Sequence, residues 1–295
     1  MKKNKEYLTT GEFAELFGVN KQTMFHYDDM GIFRPETIGD NGYRYYSYDQ
    51  LETFSIILML RELGLSIQEI KDQIDKHSPE ELVKLLESKS QKIDDLIEHL
   101  KWSKEYIKRK SDITREGITL KTPEGGMRLN EIIIQDLPDE VMVMTRYRGP
   151  GDPRSVNEAI GEHFRYLRDL GLESCYPDGA TIPLDSVRTE NNKVCYSYEN
   201  FYTVLTPTET KRVKENAGEE GHENLDAVTD LGGRFIVIYD DHGYDRVGEC
   251  LQKLISYAED KGLRLGDHFY EDVIWDDLSV RNNEEYLIKI SIQVL

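Results

Sequence analysis

The segment from Ser78 to Asp112 constrains the fold most, because after Pro79 it contains neither glycine nor proline. Ser78 and Glu81 form a capping-box pair, and proline is favoured at the first helical position, where an N–H would be unpaired anyway. We therefore predict one continuous helix of roughly 34 residues, which at ~1.5 Å per residue is about 50 Å long. A lone helix of that length has no core in which to bury an apolar face.

Apolar side chains recur along this helix at alternating spacings of four and three residues, the pattern of a coiled coil. The eight positions, six of them apolar, are Leu82, Leu86, Lys89, Ile93, Leu96, Leu100, Ser103 and Ile107. A second copy of the chain is the simplest source of a partner helix, so we predict a homodimer. The alternative is that this face packs against the C-terminal part of its own chain.

The residues before the long helix carry repeated helix-start and helix-stop signals. Thr9 and Glu12 form a capping box, Gly18 ends the first helix, and Asn20 can cap a second helix that ends at Gly31. Two helices joined by a short turn that contains glycine are typical of a helix-turn-helix.

A short β-hairpin is predicted after the second helix. Its turn is Asp40-Asn41-Gly42, and its second arm is the aromatic segment Tyr43-Arg44-Tyr45-Tyr46. Such an arm directly after a helix-turn-helix indicates a wing. Capping-box spacing at Ser47 and at Ser66 predicts the starts of two further helices before the long one.

The chain after the long helix shows an α+β pattern. A strand, one or more glycines and a long helix occur twice, first with the strand Val141–Tyr147 and again with the strand Phe235–Tyr239. This repetition suggests two related β-α-β-β halves. We therefore predict a multidomain protein with a winged helix-turn-helix head at residues 1–77, a dimerisation helix at 78–115, a linker at 116–129 and an α+β domain at 130–295.

The formal net charge of −19 is unusual for a protein that binds DNA. The acidic excess is concentrated late in the chain: residues 117–295 carry 34 acidic and 19 basic groups, whereas residues 1–76 carry 13 and 9. DNA binding by the head would then depend on locally placed Lys and Arg side chains and on helix N-termini, and it would be strongly sensitive to salt.

Several other classes of protein lack their signatures here. Cys175, Cys195 and Cys250 are far apart, which argues against a disulfide framework and against a cysteine-based metal site. No P-loop, nucleophile elbow, zincin motif or dinucleotide fingerprint occurs, so we expect no enzyme, cofactor or metal. No apolar run of 18 or more residues occurs, so we expect a cytoplasmic protein without membrane contact.

The N-terminal third resembles the MerR family of transcription regulators. The matching segments are residues 8–14, Gly18-Val19, 27–35, 42–46 and 60–70. The C-terminal part resembles the GyrI-like effector-binding domain of the BmrR-type multidrug regulators. That match rests on Tyr270-Glu271, on Glu285-Tyr286 and on the strand–glycine–helix halves.

The family resemblance implies a mechanism and a set of DNA contacts. A homodimer would bind double-stranded promoter DNA and bend and untwist it, so that RNA polymerase can engage both promoter elements. The recognition helix would be Lys21–Asp29, in the major groove. The implied contacts lie on that helix and on the wing: Lys21, Gln22, His26, Tyr27, Tyr43, Arg44 and Tyr45. Phe25 stands where the family usually has an arginine, which removes one expected contact.

Eleven tyrosines follow residue 116, and tyrosine combines apolar area with a polar tip that suits a pocket for flat organic molecules. Aromatic walls around a carboxylate attract lipophilic cations. The resemblance assigns the carboxylate to Glu271 and a pocket tyrosine to Tyr286. Trp275, four residues after Glu271, is expected on the same strand face. Tyr147 and Tyr239 complete the predicted ligand site.

Two other functions fit the same residues. Some isolated GyrI-like domains resemble small hydrolases, in which case Glu271 would be a general base. Alternatively, the chain is a DNA-binding protein that responds to no ligand, which would leave the C-terminal domain without an apolar pocket.

Overall fold

The computed structural model describes residues 6–122, 129–173, 178–216 and 228–295. The chain forms two compact units, Met1–Leu96 and Ile97–Leu295. One helix, α5 (Pro79–Lys121), has residues in both. In the part of the chain that the structure describes, no helix combines the length and the apolar composition needed to cross a bilayer.

The first unit consists of short helices and a small sheet. Its elements before α5 are β1 (Tyr7–Thr9), α1 (Thr10–Leu16), α2 (Lys21–Asp29), β2 (Thr37–Ile38), β3 (Arg44–Ser47), α3 (Gln50–Glu62) and α4 (Ile67–Lys76). The strands pair antiparallel in the order β1-β3-β2. Helices α1 and α2 form the predicted helix-turn-helix, and β2 and β3 form the hairpin predicted as a wing.

Local capping chemistry places three of the helix starts where the sequence predicts them. Thr9 and Ser66 each form a complete capping box, and Asn20 Oδ1 accepts a hydrogen bond of 2.7 Å from the backbone of Thr23. The predicted cap at Ser47 is wrong. Ser47 is the last residue of β3, so helix α3 begins only at Gln50, after an N-cap at Asp49 that makes no side-chain cap bond.

Aromatic rings fill the core of the first unit. Phe13, Tyr46 and Phe54 are fully buried, and the ring of Phe13 lies 4.9 Å from Tyr46 and 5.3 Å from Phe54, centroid to centroid. Aromatic side chains bury ~150–250 Å² each, so a few of them form an adequate core for so small a unit. Because Phe13 comes from α1, Tyr46 from the wing and Phe54 from α3, these contacts fix the wing against the helices.

Helix α5 begins at Pro79 as predicted but continues to Lys121, six residues into the segment that the sequence assigns to a linker. Tertiary packing explains the difference. Leu120 is buried, and Gly117 lies against Trp275 and Leu287 with no room for a side chain between them. This packing outweighs the low helix propensity of glycine. The remainder of the predicted linker, residues 123–128, lies outside the described residues.

The second unit combines a sheet with helices. Its elements are β4 (Ile133–Arg146), α6 (Pro153–Asp169), β5 (Gly179–Pro183), β6 (Arg188–Glu190), β7 (Lys193–Cys195), β8 (Asn200–Val204), α7 (Pro207–Asn216), β9 (Val228–Asp240), α8 (Val247–Lys261), β10 (Leu265–Trp275) and β11 (Leu287–Val294). Six strands form a closed sheet in the order β10-β11-β9-β4-β8-β5, and β6 pairs only with β7. Within the closed sheet, the order strand, helix, strand, strand occurs twice, as β4-α6-β5-β8 and as β9-α8-β10-β11.

Helices pack on both faces of the closed sheet. Helix α8 covers one face, where Leu251 and Leu254 pack with Ile238 and Ile290. The end of α5 packs on the other face, where Leu120 meets residues such as Phe235 and Val237. Successive side chains of a strand point to opposite faces, so each strand contributes to both of these environments.

The sequence predicted helices α6 and α8 well but the strands less completely. The strands predicted at 131–135 and 141–146 are one strand, β4, with an irregularity between Leu137 and Glu140. Strands β5 and β8 were not predicted. Both are five residues long, and their hydrogen bonds go to each other and to distant strands, so the local sequence carries little signal for them.

Candidate DNA-binding and ligand-binding sites

Helix α2 has a polar outer face. Lys21, Gln22 and His26 are exposed, and Gln22 and His26 lie one helical turn apart. Tyr27, which the family resemblance also assigns to DNA, is only 6% exposed and packs with Phe54. It lies three residues after the buried Met24, which places it on the core side of the helix, and this corrects the expectation that it shares the exposed face.

The wing carries one arginine whose position is fixed by two contacts. Arg44 Nε donates to Asp28 Oδ2 over 2.6 Å, and the guanidinium carbon of Arg44 lies 5.0 Å from the ring centroid of Phe25. Tyr43 is 64% exposed at the hairpin turn, whereas Tyr45 is half-buried between Thr9 and Thr37 of the neighbouring strands. Phe25 is therefore a support for the wing arginine, a role that the sequence alone did not reveal.

Glu271 is a buried carboxyl group in strand β10. It is 3% exposed, and the hydroxyl of Tyr198 lies 3.2 Å from both of its carboxyl oxygens. Burial raises the pKa of Glu271 to about 8, against which the hydrogen bond from Tyr198 acts only in part. No Lys, Arg or His side chain among the described residues forms an ion pair with it, so the carboxyl group lacks a cationic partner.

Aromatic rings surround the Tyr198 side of this carboxyl group. The ring of Tyr198 lies 5.7 Å from that of Tyr196 and 6.0 Å from that of Phe201, and Tyr147 lies 5.4 Å from Phe201. Of the predicted ligand residues, the structure therefore brings Tyr147 into the same aromatic group as Glu271. Tyr196 and Tyr198 were not predicted; their position, 73 residues before Glu271 in the case of Tyr198, is set by tertiary structure.

Tyr286 lies immediately before strand β11 and stacks at 5.9 Å with Tyr244. The pKa of Tyr198 is raised well above its usual value, by burial first, then by Glu271, with a smaller contribution from Tyr244. Tyr244 is therefore near Tyr198, and the predicted pocket residue Tyr286 lies beside the aromatic group through Tyr244.

Trp275 and Tyr239 lie on the opposite face of the sheet. Trp275 Nε1 donates to the carbonyl of Thr114 in α5, and Tyr239 donates its hydroxyl hydrogen to Glu116 of the same helix. The expectation that Trp275 shares the face of Glu271 is wrong. The register of β10 against β11 shifts between Val273 and Trp275, and this bulge reverses the alternation of side chains.

One group of side chains has the composition of a metal site. Ligand atoms of Asp240, Asp241 and His242 lie within 4.8 Å of one another. However, Arg246 lies 3.5 Å from Asp240 and Lys121 lies 3.0 Å from Asp241. Because each carboxylate already has a cationic partner, we assign no metal to this group.

A winged helix-turn-helix followed by a long helix and an α+β domain defines a DNA-binding transcription regulator. Residues 8–76 match the family model for MerR HTH family regulatory proteins. The chain is 31% identical over 290 residues to the multidrug-efflux transporter 2 regulator of Bacillus subtilis (strain 168), covering 98% of this chain and 97% of that protein. The chain belongs to the MerR family of transcription regulators.

Two further similarities extend over nearly the whole chain. The multidrug-efflux transporter 1 regulator of the same Bacillus subtilis strain is 23% identical over 292 residues, covering 98% of this chain and 99% of that protein. Among solved structures, EcmrR in its complex with DNA is 20% identical, with 97% of this chain and 99% of that chain covered and a TM-score of 0.39.

Proposed function

We propose that this regulator responds to a small amphipathic, cationic organic ligand that binds beside Glu271 in a GyrI-like effector domain made of the two β-α-β-β halves. The observation that carries the proposal is a buried carboxyl group that has aromatic neighbours and no cationic partner among the described residues. Transferring an unpaired charge into such a site is unfavourable, so the site favours a ligand that supplies the missing positive charge. Two of the relatives named above are regulators of multidrug-efflux transporters, which agrees with this ligand class.

Tyr198 and its neighbours suit the apolar part of such a ligand. Aromatic rings attract organic cations through their faces, and a tyrosine hydroxyl that already donates to Glu271 can turn aside when a ligand arrives. The ligand would form contacts with Tyr198, Tyr147 and Tyr286. Tyr239 and Trp275, which lie on the other face of the sheet, do not belong to this proposal.

On the DNA side, we propose that Lys21, Gln22 and His26 of helix α2 reach base edges and phosphates of promoter DNA in the major groove. Arg44, with Tyr43 and Tyr45 beside it, would contact phosphates, which position a protein without reading sequence. By distorting the promoter, the bound protein would activate transcription by RNA polymerase.

A homodimer is part of the same proposal. Leu86, Ile93, Leu96, Leu100 and Ile107 are between 37% and 67% exposed along α5, an apolar stripe that a second helix would cover. Two helices paired through such a stripe place two DNA-binding heads on one promoter, as a two-fold symmetric operator requires.

A titration of the full-length protein with rhodamine 6G, a cationic dye, tests the ligand site. We expect saturable binding that strengthens as the pH rises towards about 8, because the cation must displace the proton of Glu271. Glu271→Gln should weaken binding and remove the pH dependence. The control variant Glu162→Gln, at an exposed position of α6, should bind the dye as the unaltered protein does. Equal affinity and equal pH dependence in Glu271→Gln would exclude a role for this carboxylate.

A second measurement tests the DNA half. DNase footprinting on the protein's target promoter, with and without dye, should show protection in both states and enhanced cleavage near the centre of the site when the dye is bound. A footprint that is absent, or one that the dye leaves unchanged, would contradict ligand-dependent distortion of the promoter.

A further inference from the structure

A cavity of about 540 Å³ lies between helix α5 and the closed sheet, within the second unit. One wall is the stretch of α5 from Glu105 to Glu116, and the opposite wall is formed by strands β4, β8, β10 and β11. This volume lies within the ~300–1,000 Å³ that is typical of small-molecule sites in proteins.

The cavity is separate from the group around Glu271. Tyr270 and Asp272 line it, whereas Glu271, which lies between them in β10, contacts Tyr198 on the other side of the sheet. Because alternate residues of a strand point to opposite faces, the sheet itself divides the two places.

The walls of the cavity are largely apolar and aromatic. The side chains that form them include Ile113, Leu137, Met142, Tyr202, Leu231 and Tyr270. The rings of Tyr202 and Tyr270 meet edge to face at 6.0 Å. Such walls suit a ligand with an apolar body, and the aromatic rings also attract a cationic group.

Carboxylates outnumber cations around the cavity. Six acidic side chains line it, namely Glu105, Asp112, Glu116, Glu140, Asp178 and Asp272, against three basic side chains. Two of the three bases are already engaged: Arg109 lies 3.0 Å from Asp178, and Lys289 lies 3.3 Å from Asp272. The cavity therefore retains an excess of negative charge that favours a positively charged ligand.

Two acceptors on β4 have no partner within the described residues. The buried Oε1 atom of Gln135 receives no hydrogen bond, and Glu140 forms no hydrogen bond or ion pair. Burial by the cavity walls raises the pKa of Glu140, and Asp272 raises it further, although Arg109 acts in the opposite direction. Both acceptors line the cavity, on either side of the irregularity at Leu137–Glu140. An ammonium group has only donors, and so it complements this pair.

We propose that the cavity is a second ligand site, which binds an organic ammonium compound with an apolar body. The ammonium group donates to Glu140 and Gln135, and the apolar body lies against Tyr202, Tyr270 and Met142. A ligand held there contacts α5 directly between Glu105 and Glu116. The site is independent of Glu271.

The test compares two probes of nearly equal shape, 1-naphthylmethylamine, which is charged, and 1-naphthalenemethanol, which is neutral. Calorimetric titration of the full-length protein should show the amine binding at least tenfold more tightly than the alcohol, since a hydrogen bond between charged groups is roughly twice as strong as a neutral one. Glu140→Gln should reduce amine affinity about tenfold and leave alcohol affinity unchanged. Gln135→Leu should weaken the amine in the same direction.

Matched variants separate this site from the one around Glu271. Glu271→Gln should leave amine binding unchanged, and Glu140→Gln should leave rhodamine 6G binding unchanged. Met142→Trp, which fills the cavity, should abolish binding of both naphthalene probes while a cooperative thermal transition shows that the protein is folded. The proposal is overturned if the amine does not bind, if Glu140→Gln and Gln135→Leu bind it normally, or if Glu271→Gln alone removes its binding.

Discussion

The guanidinium group of Arg44 lies over the ring of Phe25, 5.0 Å from its centroid, while Asp28 accepts a hydrogen bond from its Nε atom. A flexible wing side chain is thereby held between a ring and a carboxylate, both of which belong to α2. The residue that replaces the arginine usual in this family thus supports a second arginine. The lost contact and the supported contact belong to the same part of the DNA-binding face.

Removing this support should weaken DNA binding. We expect Phe25→Ala to reduce affinity for the promoter about two- to fivefold, because a cation–π contact at an exposed site contributes ~0.5–1 kcal/mol. Fluorescence anisotropy with labelled promoter DNA at fixed salt measures the change. Ile56→Ala, an exposed apolar truncation on α3, serves as the control and should bind normally. Equal affinities of the two variants would show that Phe25 does not position Arg44 for DNA.

The pKa of Glu271 makes the folded state less stable as the pH rises. This carboxyl group titrates at about 8 when folded and near 4.5 when unfolded, so the folded state binds more protons between these values. The free energy of unfolding should fall with pH in that window, by up to ~1.4 kcal/mol per pH unit from this group. Urea denaturation at pH 5, 6.5 and 8 should show that Glu271→Gln loses this decline. A slope that is identical in both proteins would mean that Glu271 is ionised in the folded state.

His163 should act in the opposite direction. It is fully buried in α6, its two ring nitrogens lie 2.8 Å from Thr145 Oγ1 and 2.9 Å from Thr203 Oγ1, and burial lowers its pKa to about 4. The unfolded chain binds a proton here below about 6.5, so this residue should cost stability as the pH falls from 6.5 towards 4. His163→Gln should show a smaller loss of unfolding free energy between pH 7 and pH 5 than the unaltered protein. Equal losses would contradict a neutral buried imidazole.

Gly117 and Gly161 give a paired test of how α5 packs on the sheet. Both are helical, but a methyl group at Gly117 would collide with Trp275 and Leu287, whereas one at Gly161 meets nothing within 4 Å. We expect Gly161→Ala to raise stability by up to ~1 kcal/mol through helix propensity and Gly117→Ala to lower it by ~1–3 kcal/mol through overpacking. Thermal unfolding compares them, and an increase in Tm for both variants would show that α5 does not pack closely here.

The exposed stripe on α5 predicts the oligomeric state. Sedimentation equilibrium at micromolar concentration should give twice the mass of the 34.3 kDa chain. The double variant Ile93→Glu, Leu100→Glu should give a single chain, because four like charges would face each other across the seam. Gln91→Glu, two residues from Ile93 and on the other side of the helix, should remain a dimer. A monomer for the unaltered protein would refute the dimer.

Features of the molecule that depend on neighbours in sequence were predictable. The capping boxes at Thr9 and Ser66 involve residues three apart, and the start of α5 at Pro79 needs only the local sequence. The predicted cap at Ser47 failed because pairing of β3 with the distant β1 holds that residue in a strand. Local chemistry decides a helix start only where no remote partner competes for the same residue.

The ligand site was predicted less completely, because its geometry depends on strand register. Glu271 could be named from the resemblance, but Tyr198 reaches it across 73 residues of chain, which no local pattern records. Trp275 was placed on the wrong face because a bulge in β10 cannot be read from alternation alone. The buried aromatic partners and the cavity beside α5 both require the closed order of the strands.

Three consecutive residues of β10, Tyr270, Glu271 and Asp272, serve two chambers on opposite sides of one sheet. Deleting a single residue just upstream of them would invert all three side chains at once, sending a carboxyl group out of the aromatic cluster and a tyrosine into it. Neither chamber can therefore be altered by insertion or deletion in this strand without altering the other, and only point substitution can tune them separately.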